Sequence, residues 1–269
     1  MQALFIASIM MFFSSTVLAE GKILKLGVVP QQSASNLAKA WLPLTLSLSE
    51  KTGYQIRFAT APNIPEFEKR VAAGEYDITY LNPYHYTVFS QSIGLRAIAR
   101  QKDKRIHGII VVRKDSDISS LSMLSGVEIA FPAPAAFAAT VLPQAHLRLE
   151  EVSFMPQYVS SHDSVYSGVV KGLFLAGGGI DRTLSTFPKA QSDKLKVIWR
   201  SEGYTPHAFA VSADLSDEET DRIQSALLSL NHQEDGMKIL TRLGFKTGLM
   251  KSEDKDWDDV RSLKIDLLN

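Results

Sequence analysis

From residue 22 onward the chain alternates short apolar runs with longer amphipathic ones, and this alternation most narrows what it can fold into. ILKLGVVP (23–30), YQIRFAT (54–60) and YDITYL (76–81) read as strands, rich in β-branched and large apolar residues. The stretch between the first two sets Leu37, Trp41, Leu44 and Leu48 on one helical face, with Gly53 as its stop. PEFEKRVAAG is a short helix opened by Pro65 and closed by Gly74, and YHYTVFSQS is a third helix. Strand–helix units in this order predict an α/β fold with a mostly parallel sheet and helices on its faces.

A second series follows. HGIIVVRKD (107–115) and VEIAF (127–131) are strands around the short helix SSLSMLSG, and AAFAATVLPQAHLRLE is a helix kinked at Pro143. PQYVSS, LFLAGGG, LKVIWRSEGY and HAFAVS complete the strands, HDSVYSGVVKG adds a helix, and the tail from Asp217 reads as mostly helical. Two such units predict two lobes, the first built from 20–110 and 208–269, the second from 111–207. The chain would cross between them near 108–114 and again near 203–211, forming a hinge with a ligand cleft at the carboxyl ends of the strands. Periodicity alone fits one large sheet equally well.

Composition then excludes several functions. Lys+Arg and Asp+Glu number 29 each, so no basic excess points to nucleic acid. There is no P-loop, no GxGxxG and no Cys/His cluster, so no cofactor or metal is expected. Residues 1–19 read as a signal peptide: an apolar stretch from Ala3 to Phe13, then Val17-Leu18-Ala19 ahead of Glu20, although no Lys or Arg precedes the stretch. With no cysteine, lipid attachment at an N-terminal Cys is impossible. A soluble, monomeric periplasmic protein is the expectation. His162, Asp163 and Ser164 do not form a catalytic triad, because adjacent residues at a helix start point in different directions, so an enzyme is not expected.

LGVVPQQSASNLAKAWLPL, YDITYLNPYHYTVF, FPAPAAFAATVLP and YVSSHDSVYSGVVKG, in that order, resemble the phosphate/phosphite/phosphonate-binding proteins of ABC importers, the PhnD-like family. The resemblance covers about residues 23 to 250. It implies a two-lobed, type II periplasmic-binding-protein clamshell that closes over a small oxyanion and delivers it to an ABC permease. A sensor of the same fold feeding a membrane kinase or cyclase, or a receptor for a different anionic solute, are the alternatives.

The resemblance also carries site residues. The family's oxyanion loop reads Asp-Pro-x-Ser-Thr-Ser-Gly; here the matching positions are Phe131, Pro132, Ala133, Pro134, Ala135, Ala136 and Phe137. Every hydroxyl is gone, leaving the backbone N–H groups of Ala135, Ala136 and Phe137 at a helix start. His162 matches the family's ligand-contacting histidine, beside Ser160 and Ser161. Family members that take aminoalkyl phosphonates hold the amine with acids, but the matching places here are Arg182 and His207, which would repel it. In the first lobe Asn82, Tyr84 and Tyr86 stand at a strand-to-helix turn, with an amide and a phenol suited to a cleft wall.

Overall fold

The computed structural model describes residues 21–268. The signal peptide expected over 1–19, with its cut after Ala19, lies outside them. Two sheets organise the chain. The first holds β1 (Ile23–Val28), β2 (Gln55–Ala59), β3 (Ile78–Leu81), β4 (Arg96–Gln101), β10 (Ala208–Val211) and β11 (Leu249–Lys251), in the order β11-β4-β10-β3-β1-β2. The second holds β5 (Gly108–Arg113), β6 (Val127–Phe131), β7 (Phe154–Tyr158), β8 (Ala176–Ile180) and β9 (Leu195–Arg200), in the order β7-β6-β8-β5-β9. β5 lies wholly in the second sheet, so the change of sheet precedes the expected 110/111 boundary.

Both sheets are mixed rather than mostly parallel. β1 pairs in parallel with β2 and β3, but β10 runs antiparallel to β3 and β4 because the chain re-enters this sheet from the second one. β5 likewise runs antiparallel to β8 and β9. The chain passes between the sheets after β4 and again after β9. The two passing segments are pinned together by the Ile106–Tyr204 bridge, whose backbone bonds are 2.7 and 3.0 Å.

Capping chemistry sets where the helices begin, and so which residues stand at the cleft. In α1 (Ala34–Thr52) Ser33 accepts from Asn36 N, and Gly53 closes the helix at φ 75°. Asn63 caps α2 (Ile64–Ala72) and Asn82 caps α3 (Pro83–Ser92). In the second lobe a π turn (Phe137–Val141) runs into α4 (Leu142–Leu149). Pro143 has no N–H to give the Ala139 carbonyl, which accounts for the disturbed ladder expected there as a kink. α5 (His162–Val170) starts at Ser161, α6 (Asp181–Thr186) follows β8, and α7 (Lys189–Ser192) precedes β9. The tail contributes α8 (Asp217–Ser229), packed on β4, β11 and α1, α9 (Glu234–Arg242), packed on α1, and α10 (Asp258–Arg261), packed on α3. No helix among the described residues is long and apolar enough to cross a membrane.

Candidate functional site

Strand-to-helix turns from both sheets meet at the crossing segments. The β1–α1 turn brings Gln31, the β3–α3 turn Asn82, and the start of α5 brings His162; the second crossing brings His207. With Phe137, Ala138 and Ala139 of the π turn they enclose a cavity of about 10 Å³, room for a single water. A neighbouring cavity of about 20 Å³ shares Ile106, Ile180 and His207 as walls and reaches Tyr80, Lys104 and Arg182.

The π turn owes its position to glycine. A Cβ on Gly178 would lie 2.0 Å from the Ala139 carbonyl oxygen, and one on Gly108 would lie 2.1 Å from that of Ala138. These bare strand positions form a floor on which the turn's backbone rests. Ala133, Ala135 and Ala136 are buried in the same packing. In the first turn of a helix the N–H groups have no intrahelical acceptor, so those of Phe137, Ala138 and Ala139 are the turn's free donors.

Bonds across the cleft hold the lobes together. His162 N donates to the Gln31 carbonyl (2.9 Å), and Asn82 Nδ2 donates to the Ala135 carbonyl (3.1 Å) while Asn82 Oδ1 caps α3 through His85 N (2.8 Å). At the rim, Asp163 Oδ2 accepts from Ser33 N and from Asn36 Nδ2, each at 3.3 Å, and Gln32 Nε2 donates to Thr186 Oγ1. Arg182 donates to Gln31 Oε1. A guanidinium only donates, so the Gln31 oxygen faces Arg182 and its Nε2 faces His207 Nε2, 2.8 Å away. His207 Nε2 is therefore the acceptor, and this ring carries its proton on Nδ1.

Both histidines are neutral. Burial, reinforced by Arg182, pushes the His162 imidazole down to about 3. His207 is pushed well below the ordinary histidine range, by burial first and then by Arg182, His162 and His85. His162 Nδ1 lies 3.1 Å from Thr183 Oγ1, and His207 stacks on Tyr80 with centroids 5.2 Å apart. The inner cavity thus offers hydrogen-bonding groups without a formal charge of its own.

Of the residues singled out in the sequence, Asn82, His162, Ala136 and His207 line the inner cavity and Arg182 its neighbour. Others stand elsewhere. Tyr84 turns toward the C-terminal segment, its hydroxyl accepting from Leu267 N and Leu268 N. Tyr86 donates to Asp254 and packs on Trp257 at 4.5 Å. Neither lines the cavities, because α3 faces the tail on that side; Tyr80 at the end of β3 is the aromatic that reaches the cleft.

Ser161 is occupied capping α5 through Ser164 N, and Ser160 is exposed in a left-handed conformation, φ 74°. Neither serine lines the inner cavity. The expected backbone donors move along the chain as well. Ala135 presents its carbonyl to Asn82, and Ala136 N donates to the Ala133 carbonyl (3.2 Å). Of the three expected donors, Phe137 N is the one the π turn brings to the cavity, beside Ala138 N and Ala139 N. Gln31, which bridges Arg182 and His207, was not singled out in the sequence, because nothing local marks it as the link between lobes.

Residues 26–257 match the family described as the periplasmic substrate-binding protein of the ABC phosphonate transporter. The phosphate-import protein PhnD of Mycolicibacterium smegmatis is 23% identical, over 90% of this chain and 86% of its own length. Among solved structures, the binding-protein component of an ABC phosphonate transporter from Pseudomonas aeruginosa superposes with TM-score 0.83 at 17% identity, covering 91% of this chain and 86% of that one. PhnD1 of Prochlorococcus marinus, solved with methylphosphonate, gives TM-score 0.82 at 20% identity over 90% and 97% of the two chains. At such identities these likenesses show the fold: two lobes, two crossings and a cleft between them.

Proposed function

Because the chain belongs to the periplasmic substrate-binding proteins of ABC phosphonate transporters, we propose that its cleft takes a small phosphorus oxyanion and delivers it to an ABC permease in the inner membrane. The mature protein, in this reading, is a periplasmic monomer released by cleavage after Ala19, with its two lobes moving about the crossing segments. The observation that carries the proposal is the convergence of the first-turn N–H groups of Phe137, Ala138 and Ala139 with Asn82, His162 and His207 on one cavity. Such donors stabilise an anion without a matching charge, and the helix dipole adds to them.

An oxyanion needs more than about 10 Å³, so binding requires the lobes to part and close again. Reclosure remakes the Asn82–Ala135 and His162–Gln31 bonds and shields the ligand from water. Losing the family's hydroxyl trio removes contacts of roughly 1.5–3 kcal/mol each to a charged ligand. Affinity then depends on the backbone and on the amide and imidazole groups.

Titration calorimetry with methylphosphonate, phosphite, phosphate and 2-aminoethylphosphonate tests this. One-to-one binding of at least one amine-free anion is expected, with 2-aminoethylphosphonate no tighter. A chain that binds none of the four does not act as this receptor, and a clear preference for the amine removes the role given to Arg182. His207, being neutral, does not repel an amine as its place in the resemblance implied.

A further inference from the structure

Arg182 reaches into the cleft with no acid to meet it. Its guanidinium donates to Gln31 Oε1 and lies 5.6 Å from the centre of the Tyr80 ring, and among the described residues it makes no ion pair. The charges around it are otherwise engaged. Asp181, its neighbour in sequence, pairs with Arg200, and Arg105 pairs with Asp259 at 2.7 Å. Asp163 is held at the rim by Ser33 and Asn36. Lys104, on the wall of the same cavity, is exposed to water.

A partly buried cation with only neutral partners is costly, and a carboxylate desolvated beside it recovers much more than one in water. The field of Arg182 is felt at both buried histidines, which it pushes further toward neutrality. Gln31 shows how near its group stands to the inner cavity. A single carboxamide, whose nitrogen and oxygen are about 2.3 Å apart by covalent geometry, touches His207 at one end and Arg182 at the other.

Resting on the reading of the cleft as an oxyanion site, we propose that the preferred solute is a short phosphonate bearing a second negative group, a carboxylate one carbon from phosphorus. The phosphonate oxygens take the π-turn donors, Asn82 and His162. The carboxylate displaces Gln31 Oε1 and takes a two-pronged contact from Arg182.

Calorimetry with phosphonoacetate, methylphosphonate and aminomethylphosphonate, on the wild type and on Arg182→Gln and Arg182→Lys, tests the proposal. Phosphonoacetate is expected to bind the wild type about tenfold or more tighter than methylphosphonate, with aminomethylphosphonate the weakest. In Arg182→Gln the ratio of phosphonoacetate to methylphosphonate affinity falls to within about threefold of unity, and Arg182→Lys keeps part of it. Methylphosphonate binding as tightly as phosphonoacetate in the wild type, or an undiminished ratio in Arg182→Gln, overturns the proposal while leaving the oxyanion reading standing. If no phosphonate binds the wild type, both fall.

Discussion

Asn82→Asp is expected to weaken methylphosphonate binding at least a hundredfold while leaving α3 in place. Position 82 has two duties that the two ends of one side chain divide. Oδ1 caps the helix by accepting from His85 N, and an aspartate oxygen does this equally well. Nδ2 donates to the Ala135 carbonyl across the cleft, and aspartate has no donor to replace it. The exchange therefore sets a negative oxygen against a carbonyl and against the incoming anion. Two unit charges about 4 Å apart interact by roughly 4 kcal/mol at the effective dielectric of a protein site, and a hundredfold loss needs only about 2.7 kcal/mol. Calorimetry reads the affinity, and circular dichroism checks the fold. Unchanged affinity would remove Asn82 from the site.

Gly178→Ala is expected to cost about 3 kcal/mol of stability or more and to abolish phosphonate binding. The added Cβ would stand 2.0 Å from the Ala139 carbonyl oxygen and 2.6 Å from Phe131 Cδ1. Neither neighbour yields easily: one is backbone and the other a fully buried ring in the second lobe's core. The π turn must lift from β8, and the N–H groups of Phe137–Ala139 move with it. Urea denaturation measures the first effect and calorimetry the second. Wild-type values for both would show that the close approach of turn and strand is not what positions the donors.

Much of the architecture was legible because the physics behind it is local. The elements from β1 to α3 announce themselves by period, by Asn or Ser at their starts and by glycine at their ends. β4 was not seen: Arg96–Gln101 carries polar residues at both ends, and its strand identity comes from β10 and β11 on either side. β11, three residues in an otherwise helical tail, is likewise a product of pairing. The antiparallel direction of β10 follows from the return of the chain, which no local pattern records.

In the site, Asn82 is legible from its place at a strand-to-helix turn, whereas His162, Arg182 and His207 enter only through the family resemblance. Tyr84 and Tyr86 were misjudged because the side of α3 they occupy is claimed by the tail, about 170 to 180 residues away in sequence. In apolar FPAPAAFAAT the expected donors, Ala135, Ala136 and Phe137, overlap the turn's donors, Phe137, Ala138 and Ala139, only at Phe137. Where its first free N–H falls depends on a glycine floor supplied by β5 and β8. That floor also explains a loop without hydroxyls: small residues let the backbone itself come down to the cavity.

The most direct measurement of the central claim is an amide proton–nitrogen correlation spectrum recorded while methylphosphonate is added. If the anion is held by the helix start, the amide protons of Phe137, Ala138 and Ala139 move downfield together and saturate at one equivalent. The side-chain amide of Asn82 shifts with them, since it faces the same cavity. Saturation of shifts elsewhere on the chain with these four signals unmoved would contradict the account.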